Sequence, residues 1–137
     1  MLAKVDSCAA IGIDGFVVDV EVDVSNGLPA FHIVGLPEAS VKESKDRVAT
    51  AIRNCGYSFP IKKVVVNLAP AGIKKEGTGF DLPIAVGVLT ACDIIPAERL
   101  NQVMFSGELS LDGYLKPVKA VLSYALLARD KGYSAIV

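Results

Sequence analysis

Residues 16–24 alternate between apolar and acidic positions, with Val18, Val20, Val22 and Val24 on one side and Asp19, Glu21 and Asp23 on the other. A period of two predicts a β-strand lying half-buried in a sheet. Ala3 to Ile11 is its expected hairpin partner, turning at Gly12 to Gly15. Ser25-Asn26-Gly27 ends the second strand with residues that tolerate positive φ. A third strand is expected from Ala30 to Val34, so the opening third of the chain reads as an antiparallel meander.

The period then changes. Val41, Ser44, Val48, Ala51, Ile52 and Cys55 recur at helical spacing. Lys42, Glu43, Lys45, Asp46, Arg47 and Arg53 fall on the opposite, solvent side. Pro37 suits the first turn of this helix and Gly56 its end. Lys62 to Leu68 predicts an interior strand. A loop over 69–79 leads to a second helix, 81–92, apolar almost all round and therefore expected to be buried. Apolar runs at 103–109 and 114–118 flank Leu111-Asp112-Gly113, a hairpin signal. A third helix is expected from Lys119 to Lys131, and a last strand begins at Ala135, inside which the sequence stops.

The chain has 137 residues, which fits one domain with one core. Its formal net charge is -1, so no global field draws it to nucleic acid or membrane. No apolar run approaches the roughly 20 residues of a membrane span, and the N-terminus has no signal-peptide pattern. Cys8, Cys55 and Cys92 are widely spaced and odd in number, which argues against disulfide or zinc frameworks. They read as small buried hydrophobes of a cytoplasmic protein.

Three segments, taken in order, resemble one family. They are Ser25-Asn26-Gly27-Leu28-Pro29-Ala30-Phe31 with Ile33-Val34-Gly35-Leu36-Pro37; Val66-Asn67-Leu68-Ala69-Pro70 with Lys74-Lys75-Glu76-Gly77 and Phe80-Asp81-Leu82-Pro83-Ile84-Ala85; and Gly107-Glu108-Leu109-Ser110-Leu111-Asp112-Gly113 with Pro117-Val118. Together they resemble the N-terminal domain of the YifB/ComM family of Mg-chelatase-like AAA+ ATPases. His32 departs from the acidic residue of that pattern. The resemblance implies an α+β fold of the ribosomal protein S5 domain 2-like, Lon-protease-like type, a mixed sheet with packed helices. It implies that residues 1–137 precede a downstream AAA+ module that holds ATP and Mg, outside this chain. It also implies a homo-oligomeric, hexameric ring whose competence-associated members resemble DNA branch-migration helicases.

The same segments resemble the proteolytic domain of Lon, which pairs a serine with a lysine. Aligned without gaps, Gly79 stands where the serine would be and Leu122 where the lysine would be. A serine nucleophile needs its hydroxyl and a base to accept the proton, and neither residue supplies one. The expected function is therefore non-catalytic. One alternative is a peptidase with a relocated dyad, for which Ser106, Lys119 and Ser123 are the candidates; Lys119 and Ser123 read more simply as ordinary helix positions. The other is an accessory domain of a metal-chelatase-type ATPase.

The remaining candidates have simpler structural readings. Lys62, Lys63, Lys74 and Lys75 could form a basic strip for DNA phosphate, although four lysines in a near-neutral domain more often form a solvated face. The loop Glu76-Gly77-Thr78-Gly79-Phe80 lacks the Gly-Lys-Ser/Thr ending of a P-loop and carries acids that repel phosphate. It reads as a tight turn with Asp81 or Thr78 capping the next helix. Asp19, Glu21 and Asp23 read as a solvated strand face rather than a metal site, and His32 as a strand-surface residue.

Overall fold

A computed structural model describes residues 1–137. The chain forms β1 (Leu2–Ile11), β2 (Asp14–Ser25), β3 (Ala30–Val34), α1 (Ala39–Lys42), α2 (Ser44–Asn54), β4 (Lys63–Ala69) and α3 (Asp81–Ala91). A short 3-10 turn at Ala97–Leu100 precedes β5 (Val103–Met104), β6 (Glu108–Leu109), β7 (Leu115–Lys116), α4 (Val121–Asp130) and β8 (Ala135–Ile136).

The main sheet has six strands in the order β3-β4-β2-β1-β5-β8. β1 and β2 form the expected antiparallel hairpin, with Val5 opposite Val20. The expected meander does not continue: β3 pairs in parallel with β4, and β4 lies between β3 and β2. The burial pattern gives the reason. Val64, Val66 and Leu68 of β4 are fully enclosed, whereas His32 and Val34 of β3 are exposed. The more apolar strand takes the interior and the less apolar one the edge.

One face of the sheet carries Val5, Val18, Val20, Val22, Val64, Val66 and Leu68 and is covered by α2 and α3. Gly87 brings α3 close to the strands, since a Cβ there would lie 2.5 Å from Val22 Cγ2. The other face carries Lys4, Asp6, Asp19, Glu21 and Asp23 in partial solvent. Only one end of it is covered, where α4 packs Ala128, Leu127 and Tyr124 over Cys8, Val17 and Met104. The result is α+β with a mixed sheet, consistent with the S5 domain 2-like type.

Several local expectations change. Pro37 lies outside the helix and forms a bridge with Lys75; Glu38 is the residue that precedes α1. The first helix is interrupted at Glu43 into α1 and α2. The predicted 103–109 strand divides, because β5 joins the main sheet while β6 and β7 form a separate two-stranded ribbon. Between them the chain turns inward, with Ser106 N–H donating to Val137 O and Gly107 N–H donating to Gly79 O. No side chain caps α3, since the Asp81 carboxylate is engaged elsewhere. Among the cysteines, Cys8 is buried, Cys92 half-buried and Cys55 exposed, so the buried reading holds fully for Cys8 alone.

Candidate functional site

A cleft of about 950 Å³ opens between the β1–β2 turn, the loop that enters α3 and the segment that enters α4. Glu76, Thr78, Gly79, Glu108, Lys119 and Tyr124 are among the residues that line it. Gly79 forms part of its wall. A Cβ on Gly79 would lie 3.0 Å from Ser106 Oγ, so the serine hydroxyl sits behind the glycine. That hydroxyl is buried and has no hydrogen-bond partner of ordinary geometry. Cys8 lines the cleft nearby; burial pushes its thiol up to about 12, an effect the Ser106 hydroxyl partly offsets. A thiol so displaced stays protonated near neutrality and is a poor nucleophile.

Gly79 and Leu122, the positions expected to stand in place of the Lon dyad, do not share the cleft. Gly79 lines the cleft, but Leu122 is 73% exposed and is not among the lining residues. α4 turns Tyr124, Leu127 and Ala128 inward, a spacing of three and four residues that leaves Leu122 and Leu126 on the outer side. Of the relocated candidates, Lys119 lines the cleft and Ser106 does not, while Ser123 donates to Ile13 O at 3.2 Å. The cleft is lined by the hydroxyls of Ser40, Thr78 and Tyr124 and by the amines of Lys74 and Lys119. Two of these polar groups are paired: Ser40 Oγ accepts from Gly77 N–H at 3.0 Å, and Lys74 Nζ lies 3.4 Å from Glu38.

The proposed basic strip does not assemble. Lys62, Lys63 and Lys74 are exposed, but Lys63 and Lys74 flank opposite ends of β4, whose seven residues span roughly 20 Å. Lys75 leaves the set altogether. It is fully buried, and its ammonium donates to Gly35 O at 2.9 Å and to Pro70 O. Burial lowers its pKa. Lys75 therefore joins the end of β3 to the loop after β4, and its backbone adds to the join: Lys75 N–H donates to Leu36 O, and Glu38 N–H donates to Lys75 O.

A second buried polar node sets the position of the cleft wall. Asp81, fully enclosed at the start of α3, accepts from Ser44 Oγ at 2.5 Å and from Arg47 Nε at 2.6 Å. It also accepts from Arg47 Nη2 at 3.1 Å and from Leu109 N–H at 3.0 Å. One carboxylate thus ties α2, α3 and β6 together, and the Asp81 hydrogen bonds raise the Arg47 pKa. Arg47 was expected on the solvent face. The available signal was Ser44 within the apolar stripe, with Arg47 one turn further on the flank of that stripe. Lys75 gave no such signal, because nothing in the order of residues places Gly35 O and Pro70 O around it.

The acidic row does not converge on an ion. Asp19 pairs with Lys4 at 3.6 Å and Glu21 accepts from Asn67 at 2.8 Å. No group of three His, Cys, Asp or Glu residues is placed to share a metal. His32 lies on the exposed face of β3. No helix is long and apolar enough to cross a membrane.

Comparison with known proteins adds a family to this geometry. Residues 20–137 match the family described as Subunit ChlI of Mg-chelatase. The chain is 47% identical to the uncharacterized protein YifB of Salmonella typhimurium over 136 residues, covering 99% of this chain and 27% of that protein. It is 46% identical to the competence protein ComM of Haemophilus influenzae over 136 residues, again 99% of this chain and 26% of that protein. Lon protease 2 of Bacillus subtilis is more distant, 25% identical over 134 residues, covering 88% of this chain and 24% of the protease. The chain thus spans about a quarter of the length of the curated relatives it matches.

Proposed function

The chain belongs to the family of Subunit ChlI of Mg-chelatase, and from that premise we propose that it is the non-catalytic N-terminal accessory domain of a Mg-chelatase-like AAA+ ATPase that processes DNA. ATP and Mg are held by the downstream module, which assembles as a ring, and ATP hydrolysis there moves branched DNA. This domain contributes to assembly and to guiding the substrate. The observation that carries the reading is the cleft wall at Gly79: the glycine has no hydroxyl, and Leu122 faces away from it. The similarity to a competence protein along nearly the whole chain supports the DNA-processing context.

The test uses the full-length polypeptide. ATP turnover is measured with and without forked DNA over a range of salt concentrations. Turnover stimulated by forked DNA, falling as salt rises, is expected. Turnover indifferent to DNA would overturn the DNA-processing part. Cleavage of casein that disappears in Ser106→Ala or Lys119→Ala would overturn the non-catalytic part. Lys62→Glu with Lys63→Glu, compared with Lys74→Glu, then reads which end of β4 lies near DNA. Lys75 is unsuitable for this purpose, since its substitution disturbs a buried contact.

A further inference from the structure

Helix α4 is apolar on both sides, yet only one side has something to pack against. Tyr124, Leu127 and Ala128 face the sheet. Val121, Leu122 and Leu126 are exposed, Leu122 by 73%. A helix apolar all round is normally enclosed. The β1–β2 turn continues this surface. Ser123 Oγ donates to Ile13 O, and Gly15 lies against Leu127, so the turn runs alongside the helix. Ile11 and Ile13 on that turn are exposed, Ile13 by 88%. Leu122 and Leu126 on the outer side of α4 and Ile13 on the adjoining turn therefore leave large aliphatic side chains exposed near one another, and exposed apolar surface of this kind marks an interaction site.

Length selects the occupant. The chain covers 27% of the YifB relative, so most of such a polypeptide lies outside it and is tethered to it. A tethered surface acts at high effective concentration. We propose that the outer face of α4 and the Ile11–Ile13 turn form the docking surface for the ATPase-bearing remainder of the same polypeptide. That remainder presents an apolar patch to it. The inference rests on the accessory-domain reading above, and it gives the position equivalent to the Lon lysine a new use: Leu122 anchors an interface.

Hydroxyl-radical footprinting of the full-length polypeptide tests this. Labelling of each side chain is normalised to the same polypeptide unfolded in urea. Leu122, Leu126 and Ile13 are expected to label several-fold more slowly than their exposure in this domain allows, at every protein concentration. Labelling at the rate their exposure allows would overturn the proposal. Protection that disappears on dilution would also overturn it, by assigning the face to a neighbouring copy. As a second readout, Leu122→Glu with Leu126→Glu should leave the far-UV circular dichroism unchanged and speed proteolytic release of the domain; an unchanged release rate would overturn the proposal. ATP turnover is scored separately. Protection without ATP turnover would retire the motor reading and leave the docking surface standing.

Discussion

Helices α3 and α4 both carry apolar residues on more than one side, α3 along nearly its whole length and α4 only as far as Ala128, and they have different surroundings. Along α3, Pro83, Ile84, Ala85, Val86, Gly87, Val88 and Ala91 are all buried, between the sheet on one side and α2 on another. Along α4, Ala128 alone is buried. α3 meets its neighbours through close approach at Gly87 and through the Asp81 carboxylate that binds α2 and β6. α4 begins after Ala120, a non-glycine residue at φ 63°, and no side chain caps it. It rests on a small cluster around Cys8 and Met104. The more apolar helix is the more enclosed one, and α4 still leaves Leu122 and Leu126 uncovered. A helix is enclosed when the chain supplies partners on every apolar side, and within these residues α4 has a partner on one side only.

The difference can be broken or sharpened by substitution. The largest effect is expected at Asp81→Ala, which leaves the Arg47 guanidinium without its carboxylate partner and the Ser44 hydroxyl and Leu109 N–H without their acceptor. Losing one partner of a buried ion pair costs about 3–5 kcal/mol, read as a fall in unfolding free energy by urea denaturation. Cleft geometry should suffer with it, because the same carboxylate sets the start of α3. Next is Ile84→Ala, in the fully enclosed part of α3. The lost contacts and residual cavity should cost about 2–5 kcal/mol by the same measurement. The smallest effect is expected at Leu122→Gln on the outer face of α4, within about 0.5 kcal/mol in this 137-residue chain. Equal losses at Ile84 and Leu122 would abolish the distinction between the helices. A Leu122→Gln loss that appears only in the full-length polypeptide would sharpen it.

The order of residues along the chain determined most of the elements. The alternating valines of β2 commit one face to the core whatever the surroundings, because a strand places successive side chains on opposite sides. The spacing of Val48, Ala51 and Ile52 does the same for α2. What the sequence left open depends on contacts between distant segments. β4 enters between β2 and β3 because the sheet encloses its most apolar strand. Lys75 disappears into the interior because Gly35 O and Pro70 O converge on its ammonium from positions 40 and 5 residues away. Arg47 turns from solvent to Asp81 because α2 and α3 pack side by side. A buried charge needs partners fixed in space, and only the folded chain brings those partners together. The outward turn of Leu122 is of the same kind: periodicity marks α4 as apolar, but only the packing of Tyr124, Leu127 and Ala128 against the sheet decides which side remains open.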